Sequence, residues 1–114
     1  MIAVIFEFTP YEETAHEYWD LAEQLKPLLA EADGFISIER FESVTTPGKF
    51  VSLQFWRDEE SIAAWRRVPA HRKAQSAGRA RLFAEYRLRI ATVGRDYGLN
   101  DRDEVPEDSK RVHG

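Results

Sequence analysis

The chain has 114 residues, 43% of them hydrophobic and 32% charged, with a net charge of -4 and no cysteine. This is the size and composition of one folded domain, and it excludes disulfides, thiolate chemistry and cysteine-ligated metal. The acidic balance leaves no general footprint for nucleic acid, no apolar run nears the ~20 residues that span a bilayer, and Glu7 interrupts the start where a signal peptide would need a longer apolar core, so a cytoplasmic protein is expected.

Ile2, Val4, Phe6 and Phe8 alternate with other residues, the period of a strand with one buried face. Thr9-Pro10-Tyr11-Glu12 then reads as a helix start, with Thr9 as N-cap, Pro10 in the first turn and Glu12 closing a capping box. Ala15, Tyr18, Ala22, Leu25, Leu29 and Ala32 follow at steps of three and four, the core stripe of an amphipathic helix that Pro27 should kink and Gly34 should end.

Phe35 to Val44 and Lys49 to Trp56 are β-rich runs joined by Thr45-Thr46-Pro47-Gly48, a hairpin. Val51, Leu53 and Phe55 share the face expected to be buried, and the parity change between Ile38 and Phe41 predicts a bulge or burial on both faces. Asp58 caps a helix through Ile62 and Trp65, Val68-Pro69 makes a corner, and a further helix runs to about Leu82. In the last strand Tyr86, Leu88 and Ile90 alternate with Glu85, Arg87 and Arg89. Residues 1–97 are expected to form the domain, and 98–114 a polar tail without periodicity.

The order strand, helix, strand, strand, helix, strand is that of the ferredoxin-like α+β fold, a four-stranded antiparallel sheet with helices on one side. Its other face is expected to carry Ile5, Phe50 and Trp56 among Glu7, Ser52, Gln54, Arg87 and Arg89, a mixed surface suited to pairing with a second copy of the chain.

Candidate chemistry concentrates between Trp65 and Arg79. Steps of four join His71, Gln75 and Arg79, so on a helix their polar heads share one stripe beside the Trp65 indole. The neighbouring Arg66, Arg67, Arg72 and Lys73 make a basic band that a solvated helix face explains. The paired Glu12-Glu13 and Glu59-Glu60 suit helix starts, and no histidine spacing makes a metal site.

The opening Ile-Ala-Val-Ile-Phe-Glu-Phe, the Asp33-Gly34-Phe35 strand start, the Phe55-Trp56 strand end and the Asp58-Glu59-Glu60-Ser61 cap leading to Trp65 and His71 resemble the antibiotic biosynthesis monooxygenase domain over about residues 2 to 97. The resemblance implies a sheet-to-sheet homodimer, a dimeric α/β barrel. It also implies a pocket between sheet and helices, lined here by Phe6, Phe8, Phe41, Phe55, Trp65, His71 and Tyr86. The family includes cofactor-independent oxygenases of aromatic compounds, quinol oxygenases and haem-degrading monooxygenases. The last carry an asparagine on the first strand, where this chain has Phe6, Glu7 and Phe8, so haem is the less favoured cofactor and none is expected. For a cofactor-independent oxygenase of a small phenol or quinol, His71 reads as the base, Gln75 and Arg79 as holders of the oxyanion, and Trp65 as the ring's stacking partner. A dimeric small-ligand-binding or stress-related module without turnover is the alternative.

Overall fold

Four antiparallel strands form one sheet in the order β2-β3-β1-β4. The computed structural model describes residues 1–77 and 81–113. Along the chain run β1 (Ile2–Pro10), α1 (Ala15–Ala30), β2 (Phe35–Glu42), β3 (Phe50–Trp56), α2 (Glu59–Arg66), α3 (Pro69–Ala77), β4 (Phe83–Thr92) and α4 (Glu107–His113). This is the α+β ferredoxin-like arrangement, with β1 central between β3 and β4.

The register assigns the faces, because residues directly opposite each other in an antiparallel pair project to the same side. Val4 lies opposite Gln54 and Ile90, Phe6 opposite Ser52 and Leu88, and Phe8 opposite Phe50 and Tyr86. Val4 packs with Leu29 of α1, Trp56 of β3 and Trp65 of α2, so both helices cover this side. Leu25, Ile38 and Ile62 close around that core.

One expected face is therefore inverted. Phe50, Ser52, Gln54 and Trp56 turn toward the helices, and Val51, Leu53 and Phe55 lie on the uncovered side with Ile5 and Glu7. Both parities of β3 are apolar, so alternation alone does not choose between them. The indole of Trp56 decides it, filling the core with no exposed surface while its Nε1 donates to Gln54 Oε1 at 2.8 Å.

The connections follow local chemistry with two departures. β1 continues through Thr9 and Pro10, paired with Glu85 and Phe83 across a register shift, so these residues do not open the helix. Thr14 takes the cap position, but its hydroxyl donates to the Leu82 carbonyl at 2.9 Å and the Tyr11 carbonyl at 3.3 Å. Strand pairing and the anchored Leu82, itself fully buried, override the local capping pattern. The second departure lies in β2, where the irregularity falls between Phe35 and Ser37, ahead of the parity change at Ile38 to Phe41. That change is a true change of face: Ile38 packs in the core, and Phe41, opposite Val51, lies on the uncovered side.

Pro27 sits inside α1. Gly34 has φ +83°, and a Cβ there would lie 2.1 Å from Ser61 Oγ. Only glycine fits both the backbone and the space. Asp58 caps α2 by accepting from Ser61 N–H at 2.8 Å and Ser61 Oγ at 2.7 Å. Beyond Thr92 the chain leaves the sheet, and the short helix α4 occupies a segment that the sequence pattern left without structure.

Candidate active site

Two groups of side chains occupy the helix side of the sheet, at opposite ends of β1. At the Ile2 end, α2 and the Pro69 corner bring His71 onto Trp65, with ring centres 4.9 Å apart and planes at 34°. Trp65 stands 6.4 Å from Trp56, whose ring meets Phe35 edge-on at 5.4 Å. His71 Nδ1 is buried and has no hydrogen-bond partner among the described residues. Burial first, and then the positive charges of Arg72 and Arg66, hold the His71 imidazole below its ordinary pKa of 6.5. The ring is therefore neutral at pH 7, with a lone pair available to take a proton.

At the Phe8 end the rings of Phe6, Phe8, Tyr18, Trp19, Phe50, Phe83 and Tyr86 form one aromatic cluster. Phe6 stacks on Phe8 at 5.0 Å and meets Tyr86 at 5.7 Å and Phe83 at 5.5 Å. Phe8 meets Tyr18 at 4.6 Å, and Trp19 lies edge-on to Phe50 at 5.2 Å. The Tyr18 oxygen accepts from Arg40 Nε at 3.1 Å, and burial raises the pKa of this phenol, which stays protonated. Along the edge strand, Tyr86, Leu88 and Ile90 face the helix side yet are each close to half exposed, an apolar wall that the helices leave open.

The structure thus joins Trp65 to His71, and Phe6 and Phe8 to Tyr86, in two groups and not in one ring of residues. Phe41 and Phe55, expected in the same pocket, belong to the uncovered face; the sheet separates them from both groups. Gln75 is exposed on α3. Arg79, the third member of the polar stripe, lies outside the described residues. The sequence reading missed Tyr18, Trp19, Arg40, Phe50 and Phe83. Tyr18 lies on the core stripe of α1, and the visible signal for Arg40 was its parity with Ile38.

These placements do not fit a haem site. No asparagine stands on β1, and Glu7 points to the uncovered face, bound to Lys49 at 3.1 Å and to Arg89. His71 is stacked on an indole, and a hollow of about 380 Å³ between the C-terminal end of α1 and α2 is lined by Leu28, Arg57, Ser61 and Trp65 without it. Among the described residues no group of three or more metal-ligating side chains forms, and no helix is long and apolar enough to cross a membrane.

A helix-covered antiparallel sheet, aromatic on its inner side and with a histidine–tryptophan stack on its second and third helices, defines the class of protein. The sequence model of the antibiotic biosynthesis monooxygenase family matches residues 1–77, and the chain belongs to that family. It is similar to the jasmonate monooxygenase ABM of Pyricularia oryzae, with 43% identity over 93 residues, 82% of this chain. That alignment spans 43% of the relative's length. Among solved structures it superposes on Rv0793 from Mycobacterium tuberculosis with a TM-score of 0.75 at 18% identity, covering 85% of this chain and 98% of that one. It also superposes on SnoaB, a cofactor-independent oxygenase from Streptomyces nogalater, with a TM-score of 0.70 at 16% identity, covering 83% and 94%.

Proposed function

We propose that this chain is a cofactor-independent monooxygenase of a small ring compound with acidic C–H bonds, of phenol or quinol type, and that His71 is its general base. The observation that carries the reading is the Nδ1 of a neutral imidazole lying on an indole, buried and without a partner among the described residues. A polar atom withdrawn from water without a partner is costly unless a ligand completes it. Family membership supports the reaction class, and the name of the Pyricularia oryzae relative supports a small organic substrate.

The reaction balances without an outside reductant. The imidazole takes a proton from a substrate SH2, and the anion transfers its electrons to O2 as a C–O bond forms, giving a peroxide. The imidazolium returns the proton to the distal oxygen, and loss of water with the second C–H hydrogen leaves a carbonyl. One oxygen atom enters the product SO, the other leaves as H2O, and all four electrons come from the two C–H bonds. The protein supplies a base, a ring surface in Trp65 and, in Ile90, which lies opposite the Val4 packed on Trp65, and Leu88 next along that face, an apolar wall that keeps water from the anion. Gln75 and Arg79 are the proposed holders of the developing oxyanion.

The working unit is proposed to be residues 1–97 as a homodimer through the uncovered sheet face. Ile5, Val51, Leu53, Phe41 and Phe55 make that face apolar, while Glu7, Lys49, Arg87 and Arg89 give it charges of both signs. Such a mixed, self-complementary surface suits a two-fold contact.

Oxygen uptake over a panel of hydroquinones, anthrones and jasmonate tests the function. Uptake by the wild type and a ~100- to 10,000-fold lower rate in His71→Ala are expected, the range typical of losing a general base. Unchanged uptake in the variant removes His71 from the mechanism. No uptake with any compound, together with saturable binding, favours the non-catalytic ligand-binding module.

A further inference from the structure

Arg40 stands apart from the other arginines that ion pairs account for. Arg57 is held by Asp33 and Asp58, Arg81 by Glu17 and Arg89 by Glu7. Arg40 is half-buried on the helix side of edge strand β2, and among the described residues no carboxylate lies within 4.0 Å of its guanidinium. Glu42, two residues along the same face, accepts instead from Gly48 N–H at 3.3 Å. The terminal nitrogens of Arg40 are not buried, so the charge stays hydrated and open to an anion.

The surroundings specify what would complete it. Arg40 spends Nε on the Tyr18 oxygen, which leaves its two terminal nitrogens with no partner among the described residues and the Tyr18 hydroxyl with its own proton to donate. The guanidinium carbon lies 5.9 Å from the centre of the Tyr18 ring. Next to Tyr18, at 4.9 Å, is Trp19, 37% exposed where Trp56 and Trp65 are buried. Guanidinium and phenol donors beside an exposed indole match a planar anion joined to an apolar body.

We propose that Arg40 and Tyr18 bind the carboxylate of a small apolar acid whose body lies on Trp19. The site is separate from the His71 stack. Ser52, opposite Arg40, and Trp56, against which that stack ends, are four residues apart on β3, roughly 13 Å at ~3.3 Å per residue. Leu29 and Val4 pack against Trp56 in the core on the helix side of this stretch. The proposal therefore stands whether or not His71 proves to be a base.

Phenylacetate and its neutral analogue phenylacetamide are the probes, read by tryptophan fluorescence and by calorimetry on the full chain. Phenylacetate is expected to shift the emission saturably, and phenylacetamide to bind at least tenfold more weakly. Trp19→Phe should remove most of the optical signal while calorimetry still detects heat. Arg40→Met should weaken phenylacetate ~10- to 100-fold, the effect of losing a charged hydrogen-bonding partner, with Arg40→Lys in between. Tyr18→Phe, which deletes only the hydroxyl, should weaken it a few-fold and serves if Arg40→Met does not fold. His71→Ala should leave the affinity unchanged. The proposal is overturned by no saturable binding at about 10 mM phenylacetate, tenfold above a millimolar Kd. Equal affinity for the two probes overturns it too, as does a loss on His71→Ala that neither the Arg40 nor the Tyr18 variant reproduces.

Discussion

Replacing phenylalanines on the two faces of the sheet separates folding from pairing. Phe8, 1% exposed, faces the helices among Phe6, Tyr18, Phe50 and Phe83, so Phe8→Ala should lower the unfolding free energy by ~3–5 kcal/mol. For a domain whose total stability is about 5–15 kcal/mol that is a large fraction. Phe41 lies on the uncovered face and is 45% exposed in the single chain. Of the ~200 Å² an aromatic side chain presents, about 90 Å² remains for a second copy to cover, or ~2 kcal/mol at ~25 cal/mol per Å². A two-fold contact uses the residue twice, so Phe41→Ala should weaken the dimer by ~4–5 kcal/mol, about a thousand-fold in Kd. Sedimentation equilibrium across a dilution series measures that shift, and urea unfolding at dissociating concentration should find the Phe41→Ala monomer within ~1 kcal/mol of wild type. A dimer as tight as wild type would refute the pairing through this face. A monomer destabilised as much as Phe8→Ala would refute the register.

Gly34→Ala should destabilise by ~2–4 kcal/mol in urea unfolding, because the residue needs φ +83° and a Cβ would lie 2.1 Å from the buried Ser61 hydroxyl; a loss under ~1 kcal/mol would show that Ser61 moves freely. Asp58→Ala should lower Tm more than Asp58→Asn, since the amide keeps an oxygen for Ser61 N–H. The Ser61 and Arg57 hydrogen bonds hold the Asp58 carboxyl down at about 2, below its ordinary 3.8, so its contribution is complete above that ordinary value and is lost as pH falls through about 2; acid unfolding profiles of wild type and Asp58→Asn should diverge there and not near neutrality. His71 has the opposite sense of charge: its pKa is lowered, the unfolded chain binds the proton first, and stability falls as pH drops below 6.5. The same shift keeps the base neutral to lower pH, so the acidic limb of oxygen uptake should lie below 6.5, and a limb above it would refute the buried imidazole.

What the sequence made legible was whatever depends on neighbours along the chain. The alternation of β1, the core stripe of α1, the Asp58 cap and the Pro69 corner are all short-range signals, and each appears in the structure. The parity of β3 was not legible, since Phe50, Val51, Leu53, Phe55 and Trp56 offer an apolar choice on both sides and only the tertiary fit of Trp56 decides. Thr9 and Pro10 carried a helix-start pattern that pairing with Glu85 and Phe83 overrode. The stack of His71 on Trp65 was within reach, six residues apart across a corner. The meeting of Arg40 and Tyr18, 22 residues apart on different elements, required the register of β2.

The placement of the apolar wall bears on how this family member can differ in substrate from its relatives. Val4, Leu29, Trp56 and Trp65 hold the fold together and are buried, so changes there damage stability before they alter binding. Tyr86, Leu88 and Ile90 sit on the edge strand, face the same side and keep about half their surface in solvent. Truncating one of them removes less buried area and leaves no closed cavity, so the stability cost is small while the shape of the wall changes. Their backbone, paired with β1 from Ile2 to Pro10, stays fixed through such changes. Under the proposed function, specificity moves along β4 with little effect on the His71–Trp65 stack, which α2 and the Pro69 corner position independently. Leu88→Ala is the direct check: Tm should stay within ~4 °C of wild type, about 1 kcal/mol for a chain of this length, while the order of preference among ring compounds of different width changes. An unchanged preference with a large loss of Tm would make Leu88 a core residue and place the substrate elsewhere.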